Sequence, residues 1–98
     1  MLFMFSGRPR VGLSEADQQR ALAVFRGWKP PDGLAIKAHY VAATGGDFVI
    51  AETTSVEAMI EAVSAWAPFM TYEVSPIVEV SEGAGGIARA VEARLQIL

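Results

Sequence analysis

Ninety-eight residues make one small domain, and 52% of them are hydrophobic, with Val 10, Ile 6, Leu 6 and Phe 5 among them, too many for a disordered chain. Eight basic against eleven acidic side chains leave a formal charge of −3, so no basic field exists to gather nucleic acid. The lack of cysteine excludes disulfide frameworks, cysteine-ligated zinc, iron–sulfur clusters and thiolate nucleophiles, and a single histidine excludes any site needing two.

Leu2–Ser6 reads as a short strand, apolar on both faces and hence central in a sheet. Gly7–Gly12, with Pro9, reads as a loop, and Arg8-Pro9-Arg10 within it as a solvated basic cluster. Ser14 begins a helix, with Asp17 three residues on as a weak capping box. Ala21, Leu22, Phe25 and Trp28 form its apolar side, and Gly27 with Pro30-Pro31-Asp32-Gly33 ends it.

Leu34–Ala43 is predicted to be a strand that turns at Thr44-Gly45-Gly46-Asp47 into a returning strand, Phe48–Thr53. With Gly45-Gly46 as the two turn residues, Val41 faces Ile50, His39 faces Glu52, and Tyr40 faces Ala51 on the opposite surface. That pairing depends on the turn type. Thr54-Ser55-Val56-Glu57 is a second capping signal, and Val56, Met59, Ile60, Val63 and Trp66 repeat at helical spacing until Pro68. Met70–Val80 reads as a long strand, in which Pro76 is expected only at a sheet edge or a bulge. The tail then repeats Ile87, Val91, Leu95 and Leu98 at one-turn spacing, an amphipathic helix whose start Gly83, Gly85 and Gly86 loosen.

The order is strand, helix, hairpin, helix, strand, then an extra helix. It predicts an α+β domain over residues 1–80: a ferredoxin-like βαββαβ antiparallel sheet with both helices on one face. Residues 81–98 form the added helix. Mean hydropathy is +0.32, and a domain near this size buries only about two-thirds of its unfolded surface. Strands apolar on both parities leave the open sheet face needing a cover, and a second copy of the chain is the economical one. The expectation is a homodimer with two sheets facing across a barrel.

The stretch Phe48-Val-Ile-Ala-Glu52-Thr-Thr, then Trp66, then Phe69-Met-Thr-Tyr72-Glu73-Val74-Ser75-Pro76-Ile77, together with the Met-Leu-Phe-Met start, resembles the DUF3303 family. The likeness spans Met1 to Val80 and leaves out the glycine-rich tail. It implies the dimeric α+β barrel fold and a homodimer, but no activity, because that family is one of unknown function. Better-understood members of the superfamily include cofactor-independent monooxygenases, muconolactone-isomerase-like proteins and haem-binding enzymes.

His39 is the first candidate for chemistry. Paired with Glu52 it forms a candidate catalytic dyad, a general base oriented by a carboxylate. A histidine satisfied in a polar notch of the sheet is the commoner use. Tyr40, Trp66, Tyr72 and Glu73 are candidates for lining a small-molecule site, since aromatic rings supply area and a polar handle fixes orientation. Trp66 at helical spacing also fits a plain core role. One histidine with Glu52 and Glu73 does not specify a metal site, a mid-strand histidine alone does not specify haem, and no cofactor is expected.

Gly83-Ala84-Gly85-Gly86 lacks the Lys-Ser/Thr of a phosphate loop. The opening apolar run is too short, and its charge on the wrong side, for a secretory leader. No window is long enough for a membrane span, so a cytoplasmic location is expected. Two functional readings follow. One is a non-catalytic binding or structural module for a small apolar ligand. The other is an oxygenase- or isomerase-like enzyme acting on a small apolar or aromatic substrate, with His39 and Glu52 moving a proton. The first is favoured, because no residue set demands catalysis.

Overall fold

The computed structural model describes residues 1–97; Leu98, the last position of the predicted tail stripe, lies outside the described residues. The elements are β1 (Leu2–Pro9), α1 (Glu15–Gly27), β2 (Leu34–Val41), β3 (Asp47–Thr53), α2 (Val56–Trp66), β4 (Met70–Ile77) and α3 (Val80–Ile97). The strands form one antiparallel sheet in the order β2-β3-β1-β4. This is the ferredoxin-like α+β arrangement with an added C-terminal helix.

β1 is central, as its two-sided apolarity requires, and it is longer than predicted. Gly7, Arg8 and Pro9, read as loop, pair with Tyr72, Thr71 and Met70 of β4. Arg10 is not a free solvated cation. Its backbone N–H bonds Phe69 O, and its Nε donates to Ala67 O at 2.6 Å, where a cation complements the carbonyl end of α2. β4 is an edge strand, the setting in which Pro76 and its missing N–H are tolerated.

Ser14 and Asp17 form a complete capping box. The Asp17 N–H donates to Ser14 Oγ and the Ser14 N–H to Asp17 Oδ2, each at 3.1 Å. Those bonds, with Arg20 close by, hold the Asp17 carboxyl below its usual range. α2 is capped one residue later than expected. Ser55 Oγ accepts from the Ala58 N–H at 3.1 Å, so Glu57 has no place in the cap. Thr53, buried at the end of β3, donates its hydroxyl to Gly33 O at 2.6 Å and accepts from the Ser55 N–H at 3.0 Å. It thereby ties the start of β2 to the start of α2.

The hairpin departs furthest from expectation. Its loop runs over residues 42–46, with Gly45 at φ +96 and Val41 paired with Asp47 rather than Ile50. His39 consequently faces Val49 and Tyr40 faces Phe48. The ladder then breaks between Ile36 and Ala38, leaving Lys37 unpaired in a bulge before Ala35 meets Glu52.

The core lies between the sheet and α2. Phe5, Leu34, Ala51, Ala58 and Ala62 are buried together, with Phe3, Ile36, Val49, Met59 and Val63 packed around them. α1 buries no residue fully; the ring of Phe25 and that of Trp28, the residue closing the helix, lie 6.3 and 5.8 Å from the ring of Trp66.

α3 begins at Val80, where β4 was expected to end, and stays helical through Gly83, Gly85 and Gly86. None of its residues is buried, and Ile87 and Leu95 remain 68% and 70% exposed. The molecule is correspondingly elongated, 59 × 30 × 20 Å. Among the described residues no helix is long and apolar enough to cross a membrane.

Candidate functional site

The two faces of the sheet have different fates. Alternation along the strands puts Phe3, Phe5, Gly7, Val49, Ala51, Asp47 and Tyr72 toward the helices, and Leu2, Met4, Phe48, Ile50 and Ile77 toward the open face. Between the sheet and the helices lies a cavity of about 380 Å³, within the size range of small-molecule sites. The sheet contributes Phe5, Leu34, Ile36, Val49 and Ala51 to its wall; α2 contributes Ala62, Val63 and Trp66; Phe25 and Trp28 close it from the α1 side.

One end of this apolar hollow is polar. His39 of β2, Asp47 of β3 and Tyr72 of β4 all line it. His39 Nε2 lies 2.9 Å from Asp47 Oδ2, and the Tyr72 hydroxyl donates to the same oxygen at a long 3.5 Å. The Asp47 side chain is 14% exposed and that of His39 34%, so the carboxylate sits deeper than the ring. The other carboxylate oxygen, Oδ1, is buried and accepts no hydrogen bond, an arrangement that costs free energy. Burial and the adjacent Asp47 charge push the Tyr72 hydroxyl well above the ordinary phenol range, so it stays protonated and remains a donor.

Gly7 makes this cluster possible. It pairs with Asp47 on one side and Tyr72 on the other. A Cβ at this position would overlap Asp47 Oδ1 and come within 2.6 Å of Tyr72 Cε1. The carboxylate and the phenol ring therefore occupy the space over a strand residue that has no side chain.

Of the residues singled out from the sequence, His39, Trp66 and Tyr72 do line one cavity. Glu52 does not meet His39. It lies between the buried Ala51 and Thr53 and so points to the opposite face, where its carboxylate is 3.6 Å from Lys37 Nζ. Both of those side chains are about half exposed, and such a pair contributes little. The cause is the hairpin register, which brings Asp47, not Glu52, within reach of the ring. Tyr40 is exposed on the open face opposite Phe48. Glu73 pairs with Ser6 and borders a second hollow with Ser6, Arg8, Thr71 and Tyr72, and it does not line the cavity.

Sequence reasoning missed Asp47, taken as a turn residue, and Gly7, taken as loop. The usable signal was Asp47 standing two residues before Val49 and four before Ala51, on the parity of the buried face. Among the described residues no three His, Asp or Glu side chains come together as a metal site.

No curated protein matches the chain. A family model does match, over residues 1–91, which takes in most of α3 as well as the region up to Val80. By that match the chain belongs to the DUF3303 family, a domain of unknown function.

Proposed function

We propose that the protein is a homodimeric binding module that holds one small, mainly apolar ligand in each subunit. The observation that carries this reading is the cavity itself: about 380 Å³, walled by Phe5, Phe25, Trp28 and Trp66, with polar groups confined to one end. A ligand there would bury an apolar body against aromatic side chains and satisfy one polar atom at the His39–Asp47–Tyr72 end. The dimer is supported by the other face. Leu2, Met4, Ile50 and Ile77 are only half-buried, and Phe48 and Tyr40 are exposed beside them. Exposed apolar side chains grouped on one sheet face, with Glu52, Glu73 and Ser75 set among them, are the pattern of an interaction site.

Native mass spectrometry of freshly purified protein tests both parts in one measurement. The expected spectrum is a dimer carrying a small molecule on each chain. Ile50→Glu should give a folded monomer that still takes up toluene. Val63→Trp, which fills the hollow, should give a dimer that does not. A chain that is monomeric at micromolar concentration, or one whose unfolding temperature saturating toluene leaves unmoved, refutes the corresponding half.

A further inference from the structure

We propose that the polar end of the cavity is a proton-accepting site, selecting small aromatic acids of the phenol or enol class and holding them as anions through His39. The inference rests on the ligand-binding reading above and adds to it the chemistry of the ligand.

His39 Nε2 is engaged by Asp47 at 2.9 Å. A neutral ring bonded to a carboxylate through Nε2–H carries its free lone pair on Nδ1, and among the described residues nothing donates to that nitrogen. The carboxylate beyond it is nearly buried, with one oxygen lacking any partner. Its charge is therefore answered only by the imidazole and by the long bond from Tyr72. What this end of the cavity lacks is a positive charge next to Asp47, and protonation of His39 would provide it.

A ligand hydroxyl placed at Nδ1 supplies the proton. Its O–H bond breaks with the electron pair left on oxygen, an N–H bond forms at Nδ1, and the imidazolium is held between the new anion and Asp47. No oxidant or other co-reactant is involved. The other titratable groups lining the cavity are Asp47 of β3 and Tyr72 of β4. β1 presents Phe5, and α1 and α2 present Phe25 and Trp66, so nothing cationic competes for the anion. An aromatic body suits those walls, and delocalisation into its ring makes the hydroxyl acidic enough to yield the proton.

The test uses 4-nitrophenol, whose absorption distinguishes phenol from phenolate, with nitrobenzene as the same ring lacking the hydroxyl and benzylamine as a cation of similar size. Binding is followed by quenching of Trp28 and Trp66. The bound probe should keep the phenolate spectrum to a lower pH than free 4-nitrophenol does, and it should bind about tenfold tighter than nitrobenzene. His39→Gln and Asp47→Asn should each abolish the phenolate band and bring its affinity down to that of nitrobenzene, whose own binding certifies that the variants are folded.

If nitrobenzene binds while bound 4-nitrophenol stays neutral, the proton-accepting role is wrong and the cavity reading stands. If benzylamine binds more tightly than 4-nitrophenol, the unpartnered Asp47 oxygen is a cation site and the proposal is overturned. If neither nitro compound binds, the cavity reading fails and takes this one with it.

Discussion

Gly7→Ala is the sharpest structural test of the site, because it adds one methyl group where the geometry leaves no room. The new Cβ would overlap Asp47 Oδ1 and stand 2.6 Å from Tyr72 Cε1, whereas carbon atoms settle at about 3.5–4.0 Å. The ring must retreat by roughly 1 Å and the carboxylate must swing away. Overpacking of this kind costs about 1–3 kcal/mol. Against it stand the gain of about 0.4–1 kcal/mol from a less flexible unfolded chain and some relief as the unpartnered oxygen reaches water. The net expectation is a loss of about 1 kcal/mol, read as a lower urea midpoint at unchanged m-value. The decisive control is the same substitution in an Asp47→Ala background, where half of the obstruction is gone. There the methyl should cost less, with an interaction energy of at least about 0.5 kcal/mol. If Gly7→Ala is neutral, or costs the same with and without Asp47, the carboxylate does not lie over Gly7 and the site as described is wrong.

Gly85→Ala should act in the opposite direction. Its Cβ would meet only Arg89, at an ordinary 3.5 Å, so the helical content of α3, read by far-UV circular dichroism, should rise by an amount equivalent to about 1 kcal/mol at that site. Tyr72 makes stability depend on alkaline pH. Its hydroxyl is raised above the unfolded value of 10.0, so the protonated form is favoured in the native state. That contribution is complete below pH 10 and is lost as the pH rises toward the higher native value. Tyr72→Phe should therefore lose less stability between pH 9 and 11 than the parent protein, and parallel curves would contradict the assignment.

Element order was legible because each boundary carries its own chemistry: Ser14 with Asp17 at one helix start, Ser55 at the other, and the proline and glycine runs between. Packing rules could then choose the sheet, since strands apolar on both parities belong at its centre. Register was not legible. Gly45-Gly46 is compatible with a two-residue turn, but Gly45 alone takes the left-handed conformation and the loop runs over residues 42–46. A different loop length moves every partner, which is how Glu52 was assigned to His39 in place of Asp47. Gly7 was read from local propensity as loop, although pairing on both sides holds it in β1. The glycines of α3 argued in the same way for a loose start, whereas the structure carries the helix straight through them. Such an exposed, glycine-containing helix is poorly stable alone.

The last element hidden from sequence is the bulge at Lys37, and its consequence can be worked out residue by residue. Leu34 and Ile36 point toward the helices. Strict alternation would then send Ala38 and Tyr40 inward and His39 outward. The bulge inserts one residue between two continuous ladders, Ile36 paired with Ala51 and Ala38 with Ile50, and so turns His39 and Val41 toward the cavity. Lys37 has no backbone partner of its own across the strand. Deleting it joins the two ladders without changing any existing pair, and His39 stays inward because Ile36, Ala38 and His39 then alternate regularly. The only side-chain interaction removed is the half-exposed one with Glu52, worth at most about 1 kcal/mol. A Lys37 deletion should therefore fold, bind nitrobenzene and hold bound 4-nitrophenol as phenolate just as the parent does, whereas a substitution such as Lys37→Pro, which keeps the extra residue, leaves the bulge in place. A deletion variant that folds and binds nitrobenzene but loses the phenolate band would show that the extra residue orients the imidazole directly, and strict alternation would not account for the site.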